Sequence, residues 1–326
     1  MNIKPLIFLV IAGIFNCQAQ TKKPMTTNNN PLLCDPESGI CEIPGAENTS
    51  KKQPIAPQNK PVKIIYFTDP ICSSCWGIEP QLRRLKLEYG HDVEFEYHMG
   101  GLLPDWSYNS GGINKPSDVA HHWDEVSLHY KMPINGNIWL EDPLDSSYPP
   151  SIAFKAAQLQ NEEKAVIFLR SLREMVFLQK KNITRWEIIA QAAIKAGLDV
   201  VQLKQDYEGK AKELFQADLS LSKKMGIRGF PSIFVTNSTG GSEFIYGTKP
   251  YLNYENAIQK ICPSVIKKAY KKDWQSLFEK YPTLTLREFV ELSEISFQEA
   301  EQTLETLVET NKIKKLVTKN GALWIK

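Results

Sequence analysis

Apolar and polar positions along the chain predict strands on either side of a long helical stretch. Residues 63–68 form a run rich in β-branched and aromatic side chains, and residues 93–99 alternate apolar with polar side chains as a half-buried strand does. Two later runs, 232–235 and 244–246, are joined by the glycine-containing turn 237–241 and predict a hairpin. Helical spacing predicts the helices 151–160, 162–179, 184–196, 210–225 and 254–261. The pattern therefore predicts an α/β fold whose strands are separated by a predominantly helical stretch.

A separate module is predicted over residues 271–326. Helical spacing at 286–292 and 297–310 is followed by two apolar runs on either side of Asn320-Gly321, which is a strong hairpin signal. Helix, turn, helix and hairpin in this order resemble a winged helix, and only this segment carries that resemblance. The second helix has no Lys or Arg, and it carries four glutamates that would repel phosphates: Glu299, Glu301, Glu305 and Glu309. We expect a structural or protein-contact module that does not bind nucleic acid.

Length and composition are those of an ordinary globular protein. The chain has 326 residues, of which 42% are hydrophobic and 23% charged, so it can hold two domains and tails. The net charge of +2 favours neither nucleic acid nor an acidic partner.

The start of the chain has the pattern of a signal peptide. Residues 1–19 place Lys4 before the apolar run 5–14, which is too short to span a bilayer, and cleavage is expected after Ala19. This pattern predicts export into the periplasm or another oxidising space.

Lipidation of Cys17 is the alternative, although Asn16 before it is larger than the residue that lipoprotein processing prefers. The exported chain would then be anchored through Cys17. Residues 20–61 are mostly polar and include a stretch rich in Pro, Lys, Gln and Asn, which predicts a flexible segment and linker ahead of the folded part.

Cys72 and Cys75, separated by two serines, are the clearest chemical signal in the sequence. They follow the strand 63–68 after a short turn and open a helix, where backbone N–H groups and the helix dipole stabilise a thiolate. The second cysteine lies one helical turn later and can close a readily opened disulfide. The same spacing could be half of a zinc site, which would need a second pair of ligands.

Pro231 is the second signal, because it comes directly before the strand 232–235. A proline is tolerated at the first position of a strand, and a cis bond is plausible there. A cis bond would expose the backbone of Phe230, so that a substrate strand could pair with it beside the disulfide. An ordinary trans turn proline is the alternative.

Three separated motifs resemble the DsbA-like thioredoxin-fold family, and most closely its FrnE-like, protein-disulfide-isomerase branch. They are DPICSSCWGIEP at 69–80, the glycine pair in Met99-Gly100-Gly101-Leu102, and Gly229-Phe230-Pro231-Ser232. The resemblance covers residues 63–268. It implies a thioredoxin fold over 62–268 with an inserted helical domain at about 102–225.

The resemblance also implies roles for residues of the site. Cys72 would be the attacking cysteine and Cys75 the resolving one. Apart from the resemblance, Phe230 and Pro231 are expected to hold the substrate backbone by strand pairing. Trp76 is a candidate for an apolar docking surface, and core packing explains it equally well. Two departures leave the redox potential and direction open. The Ser-Ser dipeptide lacks the histidine of strongly oxidising DsbA proteins, and Phe230 is a bulky residue to find before the proline.

The other cysteines give a possible second redox pair. Cys34 and Cys41 are the natural partners, because the residues between them can turn the chain back. A flexible linker of roughly 20 residues reaches about 25 Å, so this pair could visit Cys72 and exchange electrons with it. A static disulfide that pins a loose loop is an equally open alternative. Cys262 is expected to be a buried packing cysteine.

Histidines 121, 122 and 129 are clustered without the carboxylate spacing of a metal site. We expect a solvated helix there, no metal and no organic cofactor.

Together these observations predict an exported protein thiol–disulfide oxidoreductase, acting as oxidase, isomerase or reductase. Its expected partners are unfolded or cysteine-containing exported proteins and a redox partner protein. Two alternatives from other classes are a soft-metal carrier of the copper type, using Cys34, Cys41, Cys72 and Cys75, and a non-catalytic thioredoxin-fold adaptor. Metal titration tests the first, and dispensability of Cys72 tests the second.

Overall fold

The computed structural model describes residues 38–42, 60–107 and 115–326. The first part contains β1 (Cys41–Glu42), β2 (Val62–Thr68), α1 (Ser73–Gly77), α2 (Glu79–Tyr89) and β3 (Val93–Met99). A helical stretch follows, with α3 (Pro116–Tyr130), α4 (Ile138–Glu141), α5 (Tyr148–Gln160), α6 (Glu162–Gln179), α7 (Trp186–Lys195), α8 (Val200–Glu208) and α9 (Lys210–Lys224). The chain then forms β4 (Gly229–Phe230), β5 (Ser232–Thr236), β6 (Ser242–Tyr246) and α10 (Tyr251–Ile261). The last part contains α11 (Trp274–Lys280), β7 (Thr283–Thr285), α12 (Leu286–Ser293), α13 (Phe297–Glu309), β8 (Lys314–Thr318) and β9 (Gly321–Ile325).

A four-stranded sheet in the order β3-β2-β5-β6 lies at the centre of the larger part. Strand β2 is parallel to β3 and antiparallel to β5, which in turn is antiparallel to β6. Both faces of β2 are covered, and all of its residues are buried except Ile65, which is half-buried. This burial explains why the sequence of β2 is largely apolar. This arrangement confirms the predicted α/β class and thioredoxin fold, with helices α3 to α9 inserted between β3 and β4.

The C-terminal module has its own three-stranded sheet, in the order β7-β9-β8. Reciprocal capping boxes start its two main helices: Thr285 with Glu288 at α12, and Ser296 with Glu299 at α13. The predicted hairpin around Asn320-Gly321 is present as β8 and β9. Leu323 of β9 belongs to the larger hydrophobic core, so the module packs against the thioredoxin fold. The domain limits drawn from the sequence stay predictions.

Three local expectations need correction. Helix α8 has no counterpart among the predicted helices. Helix α3 is not solvated all round, because His122 and Trp123 are buried on its inner face. Cys262 is a free, half-exposed thiol at the C-terminal end of α10, because the chain leaves the helix there toward the surface.

None of the helices in the described ranges is both long enough and apolar enough to span a membrane.

Candidate active site

Cys72 and Cys75 lie at the start of α1 and form a disulfide, with Cα atoms 5.2 Å apart. Cys72 is the N-cap residue, and its Sγ accepts a hydrogen bond from the backbone N–H of Cys75 at 3.1 Å. In the reduced protein the same N–H would stabilise a Cys72 thiolate. The helix ends at Gly77, and α2 begins at Glu79 with Pro80 in its first turn.

Asp69 organises the loop that leads to Cys72. Its buried carboxylate accepts hydrogen bonds from the backbone N–H groups of Ile71 and Leu102, at 3.0 and 2.8 Å, and from the Ser147 hydroxyl at 2.8 Å. Burial raises the pKa of this carboxyl to about 6, although these hydrogen bonds and a nearby arginine oppose the shift. The sequence motif contains Asp69, but nothing in its local pattern indicates this role.

A buried arginine connects the helical insertion to the same loop. Arg173 of α6 pairs with Glu79, donates to the Thr68 hydroxyl at 2.6 Å and donates to the Asp69 carbonyl at 3.3 Å. The insertion therefore holds both the end of β2 and the start of α2 in place around the cysteines.

Trp76 is fully buried beneath this site. Its indole N–H donates to the Pro133 carbonyl at 3.1 Å, its ring stacks on Phe177, and the Arg170 guanidinium lies 4.3 Å from the ring centre. The ring has no exposed surface for a substrate. Its predicted role in substrate binding stays a prediction, and this burial argues against it.

The bond between Phe230 and Pro231 is cis, as the sequence suggested. The backbone of Phe230 is already paired, because β4 forms an antiparallel ladder with β1, with Cys41 opposite Phe230 and Glu42 opposite Gly229. The chain's own N-terminal segment therefore occupies the edge at which a substrate strand was expected.

The same pairing brings Cys41 to the disulfide. The Sγ atoms of Cys41 and Cys72 are 3.3 Å apart, and both side chains are fully buried. Cys41 is itself disulfide-bonded. Its predicted partner, Cys34, lies outside the described residues, as do Cys17 and the predicted signal peptide at residues 1–19. Of the predicted site residues, the structure thus brings Cys41, Cys72, Cys75 and the Phe230 backbone together.

Within the described ranges, no group of three or more His, Cys, Asp or Glu side chains could hold a metal ion.

At the end of β3, His98 lies between two carboxylates. Its Nδ1 is 2.6 Å from Asp218 Oδ1, and its Nε2 is 2.7 Å from Glu96 Oε1. Burial lowers the pKa of His98, but the two carboxylates outweigh burial and leave it above the usual value. The protonated ring therefore stabilises the fold at low pH, and this contribution is lost as the pH rises through the raised pKa.

We therefore expect His98→Gln to lower the free energy of unfolding by a larger amount at pH 6 than at pH 9. Urea unfolding of both proteins at the two pH values measures this difference. The exposed His121 on α3 gives the control, since His121→Gln should change the free energy little at either pH. An equal cost for His98→Gln at both pH values would contradict the protonated pairing.

Comparison with known proteins places this geometry in a family. A family model described as thioredoxin matches residues 66–256. The ClpXP adapter protein SpxH of Halalkalibacterium halodurans is 33% identical over 306 residues, which cover 92% of this chain and 99% of that protein. The chain belongs to the thioredoxin family, together with SpxH. The SpxH of Bacillus subtilis is 27% identical over 81% of this chain and 89% of its own length.

A solved structure from Nitrosomonas europaea, provisionally assigned as a protein disulfide isomerase, has the same fold. It superposes with a TM-score of 0.53 at 21% identity, covering 62% of this chain and 95% of that one. This confirms the resemblance to DsbA-like proteins at the level of the fold.

These relatives correct two predictions. An exported oxidoreductase acting on protein substrates is the wrong function, because the curated relatives that match almost end to end are named as adapters. The predicted partners, unfolded or cysteine-containing exported proteins and a redox partner protein, are wrong for the same reason, since the relatives are named for ClpXP. The active-site cysteines misled the prediction because they define what chemistry a site can perform, and not how the protein is used.

Proposed function

We propose that this chain is an adaptor that holds a client protein and delivers it to a protease of the ClpXP type. The observation that carries the proposal is the match to SpxH of H. halodurans over 99% of that protein. A match over 92% of this chain must include part of residues 271–326 as well as the thioredoxin fold.

The structure supports this proposal with an edge suited to peptide binding. Strand β4 presents the Phe230 backbone for antiparallel pairing, and β1 of the same chain demonstrates that a strand fits there. A client segment that displaced β1 would gain the same main-chain hydrogen bonds. The adaptor would thus use the binding surface of a thioredoxin fold without requiring turnover at its cysteines.

We expect the adaptor function to survive loss of the cysteines. In cells lacking this protein, the half-life of each client should lengthen after protein synthesis is stopped, and deleting ClpX as well should add nothing further. The Cys72→Ser/Cys75→Ser variant should restore the short half-lives as fully as the natural chain. Quantitative proteomics over a time course measures every half-life at once.

Two outcomes would count against the proposal. If the deletion changed none of the half-lives that depend on ClpX, the chain would not be an adaptor. If the natural chain restored turnover and the Cys72→Ser/Cys75→Ser variant did not, thiol chemistry would be required, and a purely non-catalytic adaptor would be wrong.

The Cys72–Cys75 disulfide favours one further property, a redox-linked state of the adaptor. The chain can exist as a disulfide and as a dithiol, and only the dithiol offers Cys72 as a nucleophile. The Cys72→Ser/Cys75→Ser variant tests binding without thiol exchange, because it keeps the binding edge and lacks both reactive thiols.

The compartment of the chain tests the proposal independently, because an adaptor must meet its protease. The half-exposed thiol of Cys262 is a suitable reporter. With the cytoplasmic membrane intact, a membrane-impermeant maleimide should leave Cys262 unlabelled if the adaptor proposal is correct. Labelling in intact cells, together with cleavage after Ala19, would instead support the export predicted from residues 1–19.

A further inference from the structure

The N-terminal segment 38–42 lies on the thioredoxin fold as a bound peptide would. Its β1 residues pair with β4, the strand that precedes the cis proline. The Thr248 backbone N–H also donates to the Gly39 carbonyl at 2.9 Å. These main-chain contacts fix both the position and the direction of the segment, and they set Cys41 directly opposite Phe230.

The fold is shaped to accept this segment closely. A Cβ atom added at Gly229 would lie 2.5 Å from the Cys41 carbonyl oxygen and 2.7 Å from the Ile40 side chain. Such a distance is shorter than real Cβ contacts, so glycine is required for the segment to sit where it does. Cys41 is completely buried in this position.

We propose that Cys41 is a built-in exchange partner of Cys72, so that electrons pass between the Cys72–Cys75 pair and the disulfide of Cys41 within one molecule. The two Sγ atoms are 3.3 Å apart, and a disulfide bond is about 2.05 Å long, so a shift of about 1 Å brings them to bonding distance. This inference goes beyond the adaptor proposal, and either can fail without the other.

The exchange follows a reduction and has two steps. An external dithiol first gives two electrons to the Cys72–Cys75 disulfide and becomes a disulfide itself, and the Cys41 disulfide stays intact. The Cys72 thiolate then attacks Cys41 Sγ, forming a Cys41–Cys72 bond, breaking the bond that Cys41 makes in this structure and releasing its former partner as a thiolate.

In the second step the Cys75 thiolate attacks Cys72 Sγ. The Cys72–Cys75 disulfide re-forms and Cys41 leaves as a thiolate. Two electrons have moved from the Cys72–Cys75 pair to the Cys41 pair, and the two protons lost by Cys72 and Cys75 are taken up by the released thiolates. The same two steps can also run in reverse. The relative stability of the two disulfides decides in which direction the electrons move.

The exchange can be trapped by removing the resolving cysteine. In full-length Cys75→Ser/Cys262→Ser protein, Cys72 can attack Cys41, but the resolving thiol of Cys75 is absent, so the second step cannot occur. Free thiols are alkylated in acid, and the protein is cleaved at glutamate and at lysine or arginine. Because Glu37 and Glu42 flank Cys41, residues 38–42 are released as a peptide with Cys41 as its only cysteine.

We expect mass spectrometry to find the 38–42 peptide linked to the peptide that carries Cys72 in more than half of the chains. The product should be monomeric, and its rate of formation should be unchanged by tenfold dilution, since the reaction is intramolecular. Alkylated Cys72 beside an intact Cys41 disulfide would overturn the proposal. So would a Cys72 linkage to a cysteine other than Cys41, or one found only in dimers.

Two variants test whether formation of the Cys41–Cys72 bond depends on the docking of residues 38–42 against β4. Ile40→Asp changes only the segment, whereas Gly229→Ala closes the space that the segment fills. Each should slow formation of the Cys41–Cys72 bond at least tenfold in the trapping background. An unchanged rate in Ile40→Asp, with an unchanged unfolding midpoint, would show that exchange does not depend on this docking.

Discussion

Glu288→Gln is expected to lower the free energy of unfolding by about 3–5 kcal/mol, because it removes the buried carboxylate that two buried arginines share. Glu288 is fully buried in the C-terminal module. It pairs with Arg170 through two hydrogen bonds of 2.6 and 3.0 Å, and with Arg83 at 3.3 Å. These two charges outweigh the effect of burial and hold the pKa of Glu288 below its usual value. Urea unfolding near pH 7 measures the loss.

The effect should extend to the active-site helix. Arg170 also lies over the ring of Trp76, which directly follows Cys75, so we expect the tryptophan fluorescence of the folded variant to change as well. The matched control is Glu305→Gln, which removes an exposed pair with Lys315 in the same module and should cost no more than about 1 kcal/mol. Equal, small losses of unfolding free energy in both variants would mean that the buried pairs of Glu288 with Arg170 and Arg83 do not hold the C-terminal module to the thioredoxin fold.

Gly100→Ala is expected to cost about 3 kcal/mol, the upper end for overpacking a core. A Cβ atom at Gly100 would lie 1.6 Å from Cζ of the fully buried Phe230 ring. The bulky Phe230 ring therefore fits because Gly100, which lies against it, has no side chain. Strand β4 would have to move, so the loss should appear in urea unfolding and in weaker docking of residues 38–42.

Phe230→Leu in the Gly100→Ala background should recover part of this loss. The double variant should be more stable than the sum of the single variants predicts, by at least about 1 kcal/mol, because the two positions share one volume. Gly241→Ala is the control, since the three atoms nearest to its Cβ belong to the side chain of Asn237 and none belongs to Phe230. Simple additivity of Gly100→Ala and Phe230→Leu would refute the steric explanation.

Much of the fold could be predicted because local sequence patterns mark its helices, strands and turns. The apolar run before Cys72, the alternation at 93–99 and the Asn320-Gly321 turn all mark elements that the structure contains. The position of Pro231 before a strand was enough to suggest a cis bond. Each of these signals lies within a few residues of the element it predicts.

The rest depends on contacts between distant parts of the chain. Strand β1 has only two residues, so no periodicity marks it, and its partner β4 lies far away in sequence. The pairing of Arg170 with Glu288 spans 118 residues, and either residue alone would pass for an ordinary charge on a helix. Asp69 likewise gains its role only when Leu102 and Ser147 fold against it.

Occupation of strand β4 by residues 38–42 also affects how any other peptide binds there. A ligand that needs the same edge can bind only the fraction of molecules in which the segment is undocked, so its apparent dissociation constant rises by the inverse of that fraction. If docking is favoured a hundredfold, a ligand with intrinsic micromolar affinity would appear to bind at about 100 μM. A single change such as Ile40→Asp would then strengthen binding without adding any contact to the ligand. The segment would thus set the concentration at which the protein engages its ligands.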